Sequence, residues 1–375
     1  MSLDAGIRDR ILRGQPPDEA GLGELVEGEA ARLGRAGVDQ VRSELAADLL
    51  GAGPLEPFLA DSEVTDILVN GDGSVWIDRG QGLEQVAVPG LGPESTRRLA
   101  VRLAGQAGRR LDESQPWVDG LLPGGVRLHA VLPPLVDLGA HLSLRVPRQA
   151  GSRLTALQAT GMFSADTGLV LRRLVERRVS LVVTGGTGTG KTTLLGGLLA
   201  EVPAHERVVL VEDVRELAVD HPHVVRLQGR AANVEGRGEV TLVDLVRQAL
   251  RMRPDRLVVG EVRGAEVREL LAALNTGHEG GCGTVHANSP EDVVARFEAL
   301  GALAGLSRAA VHAQLASAVQ AVAHVRRTPL GRTVESVSVL DRPGGVLSVV
   351  PALRCATGEH GPGWPQLATL LGEEP

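Results

Sequence analysis

The spacing of apolar positions changes character twice along this chain. Between about residues 18 and 50, Leu25, Leu33, Leu45 and Leu49 are scattered among charged, helix-favouring residues, which predicts a helical N-terminal extension over residues 1–52. From residue 53 the texture becomes short apolar runs broken by turns. Residues 64–69, the turn Asn70-Gly71-Asp72-Gly73 and residues 75–77 read as a hairpin. A helix over 95–107 and extended runs at 126–132 and 142–146 complete a small α+β unit, 53–147. Residues 148–154, following Pro147, read as a linker because Gln149-Ala150-Gly151-Ser152 offers neither period.

Beyond the linker, strand and helix alternate, as a parallel sheet covered by helices requires. Strands are expected at 179–184, 207–211, 257–259 and 283–287, and helices at 191–200, 241–252 and 265–274. Leu242, Leu245, Val246, Ala249 and Leu250 share one face of the second of these helices, and Thr241 with Asp244 forms a capping box at its start. Ser289-Pro290 is expected to open a further helix, as N-cap and first-turn proline. The fold class is therefore an α/β nucleotide-binding core over 155–345, preceded by the smaller α+β domain and followed by a C-terminal tail, 346–375.

The stretch 309–325 holds no Asp, Glu, Lys or Arg, but it includes His312, Gln314, Gln320 and His324 and falls short of the roughly 20 apolar residues that span a bilayer. It reads as a packed amphipathic helix. Asp4, Arg8, Asp9 and Arg10 stand where a secretion signal needs an apolar core. The expectation is a cytoplasmic protein that reaches the inner face of a membrane only through partners.

Composition sharpens this picture in three ways. The chain of 375 residues, 43% hydrophobic and 23% charged, is long enough for two packed domains. Its net charge of -7 is uneven: residues 1–150 carry 15 basic and 22 acidic groups, and the remainder 24 of each. Phosphate neutralisation needs clustered positive charge, so direct nucleic-acid binding is disfavoured. Two cysteines, Cys282 and Cys355, in so long a chain fit a reducing compartment. Lys191 is the single lysine among 39 basic residues, in a chain that otherwise uses arginine. That position requires a compact ammonium on a flexible stem, as phosphate coordination in a tight loop does.

Lys191 lies in Gly185-Gly186-Thr187-Gly188-Thr189-Gly190-Lys191-Thr192, which matches the P-loop pattern and falls between an expected strand and helix. Backbone N–H groups of such a loop, with Thr193 beyond it, face phosphate oxygens; Lys191 reaches the β- and γ-phosphates and Thr192 presents a hydroxyl to Mg²⁺. A dinucleotide fingerprint fails, since the glycine due at 191 is lysine. A guanine-reading N-K-x-D element would need a second lysine, so ATP is favoured. Two acids follow apolar strands, Glu212 after Val211 and Glu261 after Gly260. Hydrolysis needs one group to position water and an acid for the Mg²⁺ shell. Glu261 is assigned the water and Glu212 the Mg²⁺ shell, although the reverse stays open. His286 is expected to sense the γ-phosphate. His278, Cys282 and His286 are spaced by four, but a structural zinc site wants a fourth ligand.

Together these residues resemble the secretion ATPases of type II and type IV systems, and within them the CpaF-like branch of tight-adherence pili. The resemblance rests on the P-loop, Val211-Glu212-Asp213, Asn233-Val234-Glu235-Gly236, the run from Leu250 to Arg256, and Gly260-Glu261-Val262-Arg263. It continues through Asn275-Thr276-Gly277-His278 and Thr284-Val285-His286-Ala287-Asn288-Ser289-Pro290. Upstream, Gly53-Pro54-Leu55-Glu56-Pro57, Val64-Thr65-Asp66-Ile67 and Val69-Asn70-Gly71 also match. It implies a RecA-like ATPase domain and a ring oligomer, commonly a hexamer, that uses ATP and Mg²⁺ to drive pilus assembly or secretion through inner-membrane platform proteins. It also implies that Arg127 and Arg145 reach the phosphates from the N-terminal domain. A conjugation-type DNA-transfer motor and a weakly hydrolysing ATP-dependent switch are the alternatives.

Overall fold

The computed structural model describes residues 51–80, 82–147, 153–230, 232, 237–329 and 331–373. The expected extension before residue 51, most of the linker and Asn233-Val234-Glu235-Gly236 lie outside them. The chain divides into two compact units, one ending at Arg148 and the other beginning at Gln149.

In the first unit a short helix α1 (Glu56–Ala60) precedes β1 (Asp66–Val69), β2 (Val75–Asp78) and β3 (Leu83–Val86). Helix α2 (Pro93–Gln106) follows, then β4 (Trp117–Leu121), β5 (Arg127–Val131) and β6 (His141–Arg145). The six strands form one antiparallel sheet in the order β3-β2-β1-β6-β5-β4. Alternate residues are buried in β1, β2, β5 and β6, because the sheet covers one face only. Ile67, Ile77, Leu128 and Leu144 meet Leu99, Ala100, Leu103 and Ala104 of α2 in that core. The expected hairpin is β1–β2. Its Gly73 has φ +90°, and a Cβ there would stand 2.6 Å from the Leu91 carbonyl oxygen, so glycine is required. Strands β3 and β4 are additions to the expected pattern, and neither shows an apolar run long enough to announce it.

The second unit begins with α3 (Leu154–Ala159), α4 (Ala165–Glu176), β7 (Leu181–Gly185), α5 (Lys191–Leu199), β8 (Val208–Glu212) and β9 (Val224–Gln228). It continues with α6 (Leu242–Leu250), β10 (Arg256–Val259), α7 (Glu266–Leu274), β11 (Cys282–His286), α8 (Val293–Leu303) and α9 (Arg308–Ala318). It ends with β12 (Ala321–Thr328), β13 (Gly331–Asp341), β14 (Ser348–Arg354), β15 (Glu359–His360) and α10 (Trp364–Leu371). The nine strands run in the order β15-β14-β13-β12-β7-β11-β10-β8-β9, parallel from β12 through β9 and antiparallel from β12 outward to β15.

Strands β7, β8 and β10 are buried at every residue because helices cover both faces. Val183, Val208 and Leu210 enter one apolar layer with Leu171, Leu194 and Leu198. Val182, Val209, Val211 and Val259 enter the other with Val246, Leu270 and Phe297. The capping box at Thr241 is formed, with the hydroxyl accepting from the Asp244 N–H at 3.2 Å.

Three expectations are corrected. Residues 309–325 are not one helix: α9 ends at Ala318 and β12 starts at Ala321, where Val322, Ala323 and Val325 are buried in the sheet. Residues 346–373, expected as part of a tail, are packed into the second unit. Strands β14 and β15 extend the sheet and α10 buries Leu367, Ala368 and Leu371, since β13 would otherwise expose an apolar edge. Ser289-Pro290 forms a turn, with the Val293 N–H donating to the Pro290 carbonyl, and the helix begins at Val293 with Asp292 as N-cap.

A buried ion network braces this unit. Arg256, 2% exposed, donates from Nε to Glu206 Oε2 at 2.6 Å and from Nη2 to the Val175 carbonyl at 2.9 Å. Arg178 donates to the other Glu206 oxygen at 2.8 Å. Burial by itself would raise the Glu206 carboxyl, but the two guanidinium groups hold it below its usual range.

Candidate active site

The loop from β7 to α5 takes its shape from glycines. Gly185, Gly188 and Gly190 have φ of +148°, +71° and +97°, so this backbone curls in a way L side chains resist. A Cβ on Gly185 would also stand 2.3 Å from the Val325 carbonyl oxygen of β12. Thr189 Oγ1 donates back to the Gly186 carbonyl at 3.0 Å, closing the curl. Gly190 caps α5, and Lys191, Thr192 and Thr193 make its first turn.

Lys191 is only 7% exposed. Its Nζ donates to the carbonyls of Gly185 at 3.0 Å and Gly186 at 2.7 Å, and lies 3.4 Å from His286 Nδ1 at the end of the adjacent strand β11. Burial pushes the ammonium below the usual lysine range, against the pull of Glu261 and Glu216. On the far side of the imidazole, His286 Nε2 lies 2.9 Å from Glu261 Oε1 in the loop after β10. Burial, then Lys191, hold His286 below its usual range, so the ring is neutral near pH 7. A neutral ring satisfies both contacts as the Nε2–H tautomer, donating to Glu261 and accepting from Lys191. Lys191, His286 and Glu261 thus form a chain of polar contacts across neighbouring strand ends.

The other acid is placed differently. Glu212 Oε1 accepts from the N–H groups of Glu216 at 2.9 Å and Leu217 at 2.8 Å, and Oε2 lies 3.7 Å from Arg226 Nη1 of β9. Burial pushes its carboxyl up, opposed by those two N–H groups and by Arg226. Glu212 therefore anchors the loop after β8, and one of its oxygens is fully engaged by backbone. It also explains Gly260, where a strand-end acid is common: a Cβ there would stand 2.8 Å from Glu212 Cγ.

Several participants were not legible beforehand. Glu266 Oε1 accepts from the N–H groups of Arg263 at 2.6 Å and Gly264 at 2.8 Å, holding the loop that carries Glu261. Thr284 Oγ1 donates to the Gly260 carbonyl at 2.7 Å. Arg263 pairs with Asp213, tying the Glu261 loop to the Glu212 loop. An acid two or three residues beyond a glycine-containing turn was the available signal for Glu266; Arg226 had none, because its pairing depends on β9 lying beside β8.

His278 Nδ1 lies 3.3 Å from the Ala273 carbonyl, and burial raises the Cys282 thiol to about 12 within the sheet. Among the described residues, no group of three His, Cys, Asp or Glu side chains is arranged to hold a metal ion directly. Magnesium carried on nucleotide phosphates needs fewer protein ligands, and Thr192 in the first turn of α5 suits that role. In the first unit, Arg127 and Arg145 stand directly opposite each other on β5 and β6, and Asp66 of β1 stands opposite Arg145 with its Oδ1 at 3.3 Å from Nε. One face of that sheet therefore carries both arginines in a single transverse row.

A glycine-shaped phosphate loop on a parallel sheet, with lysine, histidine and glutamate at adjoining strand ends, defines a P-loop nucleoside triphosphatase. The type II/IV secretion system protein family matches residues 48–345, and this chain belongs to that family. It is an ATP-hydrolysing enzyme of the secretion ATPase class. A Mycobacterium tuberculosis protein named for conjugal transfer is 55% identical over 313 residues, covering 82% of this chain and 89% of the relative. The conjugal transfer protein TrbB of Sinorhizobium fredii is 33% identical over 293 residues, covering 76% and 85%. In structure, the Legionella pneumophila ATPase DotB shares the fold, with a TM-score of 0.56, 20% identity and coverage of 79% of this chain and 81% of DotB.

Proposed function

We propose that this chain hydrolyses MgATP at the loop 185–193 as one subunit of a ring motor, a hexamer, that drives transfer across a membrane. The observation that carries the reading is the buried Lys191 joined through His286 to Glu261. Lys191 exchanges the carbonyls of its own loop for the β- and γ-phosphates, and Thr192 would hold a Mg²⁺ ion, which when bound would lower the charge of the phosphates. Glu261, whose second oxygen is not the one on His286, orients the attacking water. His286 reads the γ-phosphate and passes its presence to Glu261. Glu212 acts on the site through the loop it anchors. Arg127 and Arg145, side by side on one sheet of the first unit, carry guanidinium groups of the kind that suit developing negative charge.

The motor works at the cytoplasmic face through membrane-embedded platform proteins. Among the described residues no helix is long and apolar enough to cross a membrane. The names of the relatives favour a conjugation apparatus as the machine. The excess of acids in residues 1–150 favours a motor that moves its cargo through partners rather than by gripping DNA. The order of motifs from Gly53 to Pro290 favours a second reading, the tight-adherence pilus branch.

The test is turnover by purified protein. Lys191→Ala should abolish hydrolysis while the protein keeps its fold, and Lys191→Arg should fail too because a planar fork does not fit that pocket. A fully active Lys191→Arg enzyme would overturn the assignment. DNA-stimulated turnover would favour the conjugation reading, and capture of a pilus platform protein the other.

A further inference from the structure

The two flanks of the phosphate loop carry different chemistry. On the side of β11 and β10 stand His286 and Glu261, which in the reading above mark the γ-phosphate end. On the other side β12 runs parallel to β7 and turns into β13, so the hairpin continues past the loop. A Cβ at Gly190 would stand 3.1 Å from Arg332 Cδ and 3.5 Å from Met162 Cε. The stem of Arg332 therefore lies against the first cap of α5, on the flank away from the reacting end. Val334 donates its N–H to the Met162 carbonyl at 2.8 Å, which fixes the start of β13 against this segment. The register also places Arg327 directly opposite Arg332 on the same face of the hairpin.

A nucleotide whose γ-phosphate faces His286 and Glu261 must run its α-phosphate and nucleoside toward the opposite flank. Resting on the nucleotide site proposed above, we infer that Arg332 is a binding residue for the α-phosphate, with Met162 as the apolar contact beneath it. Its guanidinium donates to an oxygen that ATP and ADP share, so it holds nucleotide through hydrolysis and sets product affinity. This differs from Lys191, whose role is at the β- and γ-phosphates.

The experiment compares two competitive inhibitors of ATP turnover by the full chain. ADP carries the α-phosphate; pyrophosphate fills only the β- and γ-positions. For Arg332→Ala, the inhibition constant for ADP should rise about tenfold, the scale of one lost charge-assisted hydrogen bond, and that for pyrophosphate by far less. The loss in turnover should fall on KM rather than kcat. Arg332→Lys, which keeps stem and charge, should lie between wild type and alanine. Unchanged ADP inhibition in both variants would overturn the inference, as would equal weakening of ADP and pyrophosphate, which would mean that Arg332 merely shapes the loop. Failure of the nucleotide site itself is distinguishable, because wild-type protein would then show no competition by ADP.

Discussion

The ends of β8 and β10 look alike as sequence and differ as chemistry. Each is a largely apolar strand with a glutamate at or just past its end. Glu212 is 5% exposed, and its oxygens are occupied by two backbone N–H groups and Arg226, so it works as a fastener. Glu261 comes one residue later in the chain, beyond Gly260, and its side chain is 41% exposed with one oxygen on His286. That extra residue carries the acid past the closed part of the sheet. The same residue type at a strand end becomes structural or reactive according to what the neighbouring loop leaves for it to bind.

The sharpest way to break this comparison is Glu261→Gln. Turnover should fall about 100-fold, the scale of losing a water-orienting group, with nucleotide still bound and the melting temperature unchanged. If Glu212→Gln shows that loss and Glu261→Gln does not, the roles are reversed.

Stability should show the opposite ranking. Glu212→Ala strands the N–H groups of Glu216 and Leu217, at a cost of about 2–3 kcal/mol in denaturant unfolding. Glu212→Gln keeps an acceptor and should lose much less. Gly260→Ala presses a methyl onto Glu212 and should cost about 1–2 kcal/mol, relieved in the Gly260→Ala, Glu212→Ala double variant. Additive losses would show that the two positions do not touch.

The smallest effect is a pH dependence. His286 is held below its ordinary value by burial and Lys191, so the unfolded chain binds its proton first as pH falls. Native stability should then decline from about pH 6.5 downward and level off once the folded ring is protonated. The groups facing that ring are Lys191, Glu261 and Arg296. Burial lowers His324 as well, so the readout is the difference in melting temperature between wild type and His286→Gln across pH 7 to 5. A His286→Gln profile as steep as wild type would remove His286 from the chain of polar contacts.

Much of this protein was legible in its amino acids because the relevant interactions are local. Gly185 to Thr192, the strand before them and the helix after them announce the loop, since positive-φ glycines and a lone lysine encode its shape and charge within a few residues. Thr241 and Asp244 cap their helix in the same short-range way. The continuous apolar runs of β7, β8 and β10 declare a sheet covered on both faces. Long-range neighbours decided the rest. Residues 309–325 divide into α9 and β12 because β7 and β13 offer the second half a place in the sheet, an outcome no period within the segment encodes. Residues 346–371 join the core because β13 presents an edge to be covered. Whether a glutamate after a strand binds its own loop or faces a substrate depended on Arg226, Gly260 and His286, which reach it from other strands; their meeting is a property of the tertiary structure alone.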